Sequence, residues 1–215
     1  MNTLQRVKVL KIRNLTESTY VLRTKRDKFE FIPGQCVNIG LVGGAVNREY
    51  STYSSIHEKY LEFLIKKVDG GLVSVGVSKL QPGDEVTLHG AYGKFIIEKP
   101  SKTQKYVFIA SGTGIAPFHS FIKSYPEIDY KVIHGVRNAS EQYNRSDYGN
   151  RYVSCISRER GGDFSGRVTD YLKSIPLDIN STYYLCGNRD MINDVYDILR
   201  TNKINGSNIF TEVFF

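Results

Sequence analysis

Tryptophan is absent from the 215 residues, methionine occurs twice and cysteine three times. Cys36, Cys155 and Cys186 lie far apart and form no C-x-x-C pair. That pattern argues against a disulfide framework, and three thiols are too few for a cluster held by four. His57, His89, His119 and His134 are equally scattered, so no metal site is expected. No apolar run approaches the roughly 20 residues that span a bilayer, and integral membrane association is not expected. The N-terminus, Met-Asn-Thr-Leu-Gln-Arg-Val-Lys, lacks the apolar core of a secretory signal, which gives a cytoplasmic location as the default.

Acidic charge is the other deficit. The net charge is +7, with 15 Lys/Arg against 10 Asp/Glu before Pro100 and 14 against 12 after it. Arg6, Lys8, Lys11, Arg13, Arg23, Lys25, Arg26 and Lys28 crowd the first quarter. They form either a solvated basic face or a docking surface for an acidic partner. No nucleic-acid-binding module accompanies them, so nucleic acid is not an expected partner.

What is present reads as two domains, 1–99 and 100–215. In the first, short β-prone runs at Val7 to Ile12, Tyr20 to Thr24, Cys36 to Leu41, Tyr60 to Val68 and Glu85 to Leu88 alternate with glycine and proline turns. Strands at that spacing predict a small antiparallel barrel, with one helix over Gly71 to Leu80. After the polar stretch Lys99 to Thr103 the pattern changes. Strands at Tyr106 to Ala110, Tyr130 to His134, Tyr152 to Ser157, Thr182 to Cys186 and Ile209 to Phe214 alternate with helices at Ala116 to Ser124, Gly166 to Ser174 and Arg189 to Thr201. That order predicts a parallel sheet covered on both faces.

Five stretches carry chemistry. In Arg48-Glu49-Tyr50-Ser51-Thr52, strand spacing puts Arg48 and Tyr50 on one face, with Glu49 and Ser51 on the other. A guanidinium and a phenol ring could there meet a phosphate and a flat heterocycle; the run also suits an ordinary edge strand. Ser111-Gly112-Thr113-Gly114-Ile115-Ala116-Pro117 links a buried strand to a helix, where glycines and helix N–H groups favour a pyrophosphate. Pro117 falls in the first helical turn, where its missing N–H costs little. Cys186-Gly187-Asn188 ends a later strand on the side where open α/β sheets bind ligands; Cys186 either packs as a small hydrophobe or lets a flat ring approach. Ser157-Arg158-Glu159-Arg160 and Gly166-Arg167 offer arginines for a further phosphate or for solvent.

These stretches, in this order, resemble the ferredoxin–NADP⁺ reductase family nearly end to end, in its FAD-dependent, stand-alone form without an iron–sulfur domain. Arg48 to Thr52 looks like the family's R-x-Y-S-[ST] flavin motif, and Phe31-Ile32-Pro33-Gly34-Gln35 like the strand entry before it. Gly70-Gly71-Leu72-Val73-Ser74 is similar to its second flavin-phosphate loop. Gly90 to Phe95 is similar to its G-P-x-G-x-F turn, with Ala91 replacing the proline. Gly112 to Pro117 resembles the nicotinamide-nucleotide loop. Cys186-Gly187-Asn188 with Met191 resembles C-G-N-x-x-M, and Thr211 to Phe215 the acidic-aromatic C-terminus.

The resemblance implies an FAD-binding β-barrel over 1–99, an NADP(H)-binding α/β domain over 100–215, and a set of roles. Arg48 would pair with the FAD pyrophosphate, Tyr50 would lie on the isoalloxazine, and Ser51, next to Thr52, would bond near its N5. Gly71, Leu72, Val73 and Ser74 would hold the same pyrophosphate. Gly112, Thr113, Gly114 and Pro117 would hold that of NADP. Cys186, beside Gly187, would flank nicotinamide C4, and Glu212 would support the ring or relay a proton. Phe214, or else Phe215, would cover the flavin. Ser157, Arg158 and Arg167 would take the 2′-phosphate, and Arg137 the adenosine end; Glu159 and Asp163 stand close in sequence. The implied reaction is hydride exchange between NADP(H) and FAD, with single electrons passing to ferredoxin or flavodoxin, by a monomer or homodimer. The alternatives are a reductase serving an oxygenase, a cytochrome or free flavin, and a flavoprotein subunit without turnover.

Overall fold

Alternation of apolar and charged residues builds the first sheet. In β1 (Gln5–Asn14), Val7 and Val9 turn inward while Arg6, Lys8 and Lys11 face solvent. A register shift between Val9 and Lys11 breaks that alternation and leaves Leu10 exposed. The computed structural model describes residues 4–214, and Phe215 lies outside them. The chain divides into two compact units, Met1–Glu98 with Ala116–Pro126, and Lys99–Ile115 with Glu127–Phe215.

The first unit adds β2 (Thr19–Lys25), β3 (Cys36–Leu41), β4 (Asn47–Ser51), β5 (Tyr60–Lys66), α1 (Leu72–Val77) and β6 (Glu85–Tyr92). Its antiparallel sheet runs β4-β3-β6-β1-β2-β5. A bridge between Thr52 and Phe63, with Tyr53 N donating to Glu62 O at 2.8 Å, ties its two edges together. The expected barrel is thereby closed. Val37, Ile39, Leu22, Phe63, Val86 and Leu88 fill its core. Helix α1 is shorter than Gly71 to Leu80, because Gly76 and three valines weaken its helical preference. β6 continues four residues past the expected Leu88, with a register shift between Cys36 and Val37 on its partner strand; Gly90 accommodates the shift.

Helix α2 (Ala116–Ser124), read from the sequence as part of the second domain, makes its contacts in the first unit. Ser120 Oγ donates to Ser54 O at 2.7 Å, Ser124 Oγ accepts from Ile56 N at 3.1 Å, and the Tyr53 and His119 rings stack at 4.0 Å.

The second unit holds β7 (Lys105–Ser111), β8 (Asp129–Val136), β9 (Tyr152–Ile156), β10 (Phe164–Ser165), α3 (Val168–Ser174), β11 (Thr182–Gly187), α4 (Arg189–Thr201) and β12 (Ile209–Val213). The parallel order is β10-β9-β8-β7-β11-β12. Ile109, Ile133 and Leu185 of the sheet pack with Leu172 of α3 and Val195 and Leu199 of α4. Helix α3 begins two residues later than expected. Gly166 has φ +147° and Arg167 is extended, so the chain can become helical only from Val168. The strand order reverses between β7 and β11, which makes their carboxyl ends the switch point where open α/β sheets bind ligands.

Candidate active site

Strand pairing sets the first group of residues. Tyr50 lies opposite Val37 and Arg48 opposite Ile39, so both share the face of those two core residues. The Tyr50 ring is half-buried against the barrel core, while Arg48 stays exposed and donates to Asn47 O at 2.8 Å. Burial pushes the Tyr50 phenol up to about 12, against the pull of the Arg48 guanidinium. Ser51 is buried opposite Cys36, and Thr52 Oγ1 donates to Gln35 O at 3.2 Å.

Helix α1 starts from Gly71 without a side-chain cap and without an acid in its first turn. Its leading N–H groups therefore have no intrahelical acceptor. A Cβ on Gly71 would stand 2.6 Å from Ser74 Oγ, which itself accepts from Val68 N at 3.1 Å. Val73 is buried and Leu72 exposed. The Tyr20 hydroxyl fixes this turn by donating to Ser74 O at 2.7 Å, and burial, then the Tyr50 phenol, push the Tyr20 pKa up. A strand-borne cation and an uncapped turn are a donor set that suits the phosphates of a flavin dinucleotide.

At the switch point two glycines interlock. Gly112 to Ile115 form one 3₁₀ turn after β7. A Cβ on Gly114 would stand 2.3 Å from Cys186 O, and one on Gly187 would stand 2.4 Å from Ser111 Oγ. Ser111 Oγ accepts from Asn188 N at 2.9 Å, and the Asn188 side chain caps α4 by accepting from Asp190 N and Met191 N. Gly112 has φ +54° with open space where a Cβ would be. The residues Gly112, Thr113, Gly114, Cys186 and Gly187 are therefore brought together, and the open space at Gly112 leaves the backbone free for the close approach that a dinucleotide pyrophosphate needs. Pro117, by contrast, is counted with α2 in the first unit. Glu212 pairs with Cys186 across β11 and β12, and Phe214 N donates to Gly187 O at 2.8 Å. Burial, then the Glu212 carboxylate, hold the Cys186 thiol well above its usual range.

Arg137, Arg158 and Arg167 are exposed at the carboxyl ends of β8, β9 and β10. Arg158 N donates to Arg137 O and Gly166 N to Ile156 O, so the three segments run side by side. Among the described residues, none of these arginines has an acidic ion-pair partner. Ser157 Oγ donates to Val136 O at 3.2 Å. Asp163 is engaged by Ser154 and Arg145, whereas Glu159 accepts from Ala139 N. Ser111 and Asn188, which the sequence shows only as members of their motifs, and His134, which it shows only as a scattered histidine, fix these loops. The β7–β8 register places His134, since His134-Gly135 of β8 pairs with Ala110-Ser111 of β7 at the start of the glycine loop.

Comparison with known proteins points to the same two cofactor classes. Residues 7–97 match the oxidoreductase FAD-binding domain and residues 108–197 the oxidoreductase NAD-binding domain. The chain is 30% identical over 224 residues to the toluate 1,2-dioxygenase electron transfer component of Pseudomonas putida, covering 94% of this chain and 65% of that protein. It is 29% identical to the phenol hydroxylase P5 protein of Acinetobacter pittii, spanning 64% of its length. The flavodoxin/ferredoxin–NADP reductase of Escherichia coli K12 is 28% identical over 213 residues, covering 87% of this chain and 86% of that one. A ferredoxin NADP⁺ reductase from Neisseria gonorrhoeae with bound FAD and NADP shares the fold at a TM-score of 0.87 and 24% identity, over 99% of each chain. Of the cofactor reading, FAD and a nicotinamide dinucleotide are borne out by the two domain matches. No helix among the described residues is long and apolar enough to cross a membrane. The chain belongs to the ferredoxin–NADP⁺ reductase family of flavin-dependent oxidoreductases.

Proposed function

We propose that the protein exchanges hydride between NADP(H) and FAD and passes single electrons to or from ferredoxin or flavodoxin. The observation that carries the reading is the interlock of Gly114 with the Cys186 carbonyl at the switch point, which seats the glycine loop after β7 against the carboxyl end of β11. FAD, when bound, supplies a ring that takes up two electrons together and releases them singly. The two domains divide the work as 1–99 for the flavin and 100–215 for the nicotinamide dinucleotide. Arg48 holds the flavin pyrophosphate with the amides of Leu72 to Ser74, Tyr50 orients the ring, and Ser51 and Thr52 bond to its edge. Thr113 and Gly114 hold the second pyrophosphate. Cys186 orients the nicotinamide, Glu212 supports it or moves a proton there, and Phe214 shields the ring from water.

Unpaired Arg158 and Arg167, with Ser157, support a site for the 2′-phosphate, since an arginine–phosphate contact is charge-assisted and often bidentate. Arg137 serves the adenosine end. The outward cations of β1 suit an acidic carrier, and electrostatic steering would raise its association rate. Cytochrome c reduction that needs added ferredoxin and weakens with salt would support this. Equal rates without ferredoxin would favour the second reading, a reductase component for an oxygenase, which the 30% identity to the toluate dioxygenase component supports.

A further inference from the structure

His134 lies inside the parallel sheet with no exposed surface, between Ala110 of β7 and Ser154 of β9. Its Nδ1 is 2.7 Å from the Tyr152 hydroxyl and its Nε2 is 2.7 Å from Gly112 O. A carbonyl can only accept, so Nε2 carries the proton and donates to Gly112 O. Nδ1 then accepts from the Tyr152 O–H. Burial keeps that phenol protonated and pulls the imidazole down to about 4, so both bonds are made by neutral groups. Tyr148 stacks on Tyr152 at 5.5 Å and holds the phenol in place. Glu141 and the Tyr143 ring, 6.0 Å away, complete the surroundings of the imidazole.

The bond to Gly112 has a consequence for the peptide it holds. In a trans peptide the C=O and the following N–H point in opposite directions. A Gly112 carbonyl turned to His134 therefore turns the Thr113 N–H away from the sheet interior. Gly112 can hold this orientation because glycine tolerates φ +54°. We propose that His134 is a positioning residue for dinucleotide binding: through Gly112 O it aims the Thr113 amide at the pyrophosphate of NADP(H). This rests on the assignment of the Gly112–Ile115 turn to that pyrophosphate. The line Tyr152–His134–Gly112 is the back support of the loop, and neither side chain touches the ligand.

The test is titration of the FAD-loaded protein with NADP⁺, following the flavin spectrum, for wild type, His134→Leu, His134→Gln and Gly114→Val. His134→Leu is expected to weaken NADP⁺ about tenfold, the cost of losing one buried hydrogen bond. FAD content and the kcat at saturating NADPH should stay within about twofold of wild type. His134→Gln, which keeps an N–H near the Nε2 position, should recover most of the affinity; a merely space-filling histidine would show no such rescue. Unchanged affinity in His134→Leu together with a loss in Gly114→Val overturns the positioning role alone. Unchanged affinity in both overturns the loop assignment and the proposal with it. ¹⁵N NMR of histidine-labelled wild type provides a reading that needs no variant: the proton on Nε2 supports the proposal, and the proton on Nδ1 overturns it.

Discussion

Gly114 lies so close to Cys186 that any side chain on it would collide with the Cys186 carbonyl, at 2.3 Å from a Cβ. The turn after β7 and the end of β11 are thus fitted to each other through backbone, without a flexible side chain between them. Gly114→Ala should destabilise the protein by about 1–3 kcal/mol, the usual scale for forced overpacking. The midpoint in a urea titration should fall with an unchanged slope, and NADP⁺ affinity should fall with it. An alanine tolerated at no cost would show that the turn has room to move.

The buried imidazole gives an acid limb with a definite sign. His134 is held down to about 4, mainly by burial and against the bond to Gly112 O and the Glu141 charge. Below pH 6.5 the unfolded chain takes up a proton that the folded one refuses. Stability should therefore fall as pH drops from 6.5 toward 4, by up to about 3 kcal/mol. Thermal melts over that range should show a shallower acid limb in His134→Gln than in wild type.

The alkaline side has the opposite origin. Burial raises the Cys155 thiol to about 12 and the Cys186 thiol well above 9.0. Above pH 9 the unfolded chain loses protons that the folded chain keeps, so stability should decline as pH rises. In the native protein the Cys186 thiol should resist alkylation up to that pH, whereas a fast reaction at neutral pH would contradict its burial.

Ser51→Ala should leave FAD bound, because Arg48 and the first turn of α1 are untouched. Hydride transfer should slow by about tenfold or more, as expected for one lost hydrogen bond at the reacting ring. Single-turnover flavin reduction by NADPH measures it. An unchanged rate would remove Ser51 from the chemistry.

Arg158→Ala should raise the KM for NADPH roughly tenfold and leave that for NADH nearly unchanged. An equal response to both would mean that Arg158 does not meet the 2′-phosphate. Glu159→Gln would then be the next variant, since its carboxylate is held beside the β8 loop by Ala139 N.

Much of this was legible in the sequence, for identifiable reasons. Period-2 alternation and glycine turns located the barrel strands, and the continuous apolar run at Tyr106 to Ala110 located a strand buried on both faces. The spacing within Arg48 to Ser51 gave the shared face of Arg48 and Tyr50, which depends only on strand geometry. What was not legible depends on tertiary contacts. The grouping of α2 with the barrel rests on Ser120, Ser124 and His119 meeting Ser54, Ile56 and Tyr53, more than 60 residues apart. His134 reads as one of four scattered histidines until the β7–β8 register sets it beside Gly112. The fit of Gly187 against Ser111 is equally long-range, so the glycine alone gave no sign of it.

The central claim is that this chain moves hydride between NADP(H) and FAD and single electrons to an acidic carrier. Stopped-flow mixing of the FAD-loaded protein with NADPH or NADH, followed by ferredoxin, flavodoxin, cytochrome c and free flavin, tests it most directly. The account predicts rapid bleaching by NADPH, slower bleaching by NADH, and salt-sensitive reoxidation by ferredoxin or flavodoxin ahead of the other acceptors. A flavin that binds but is not bleached by either nucleotide would contradict it.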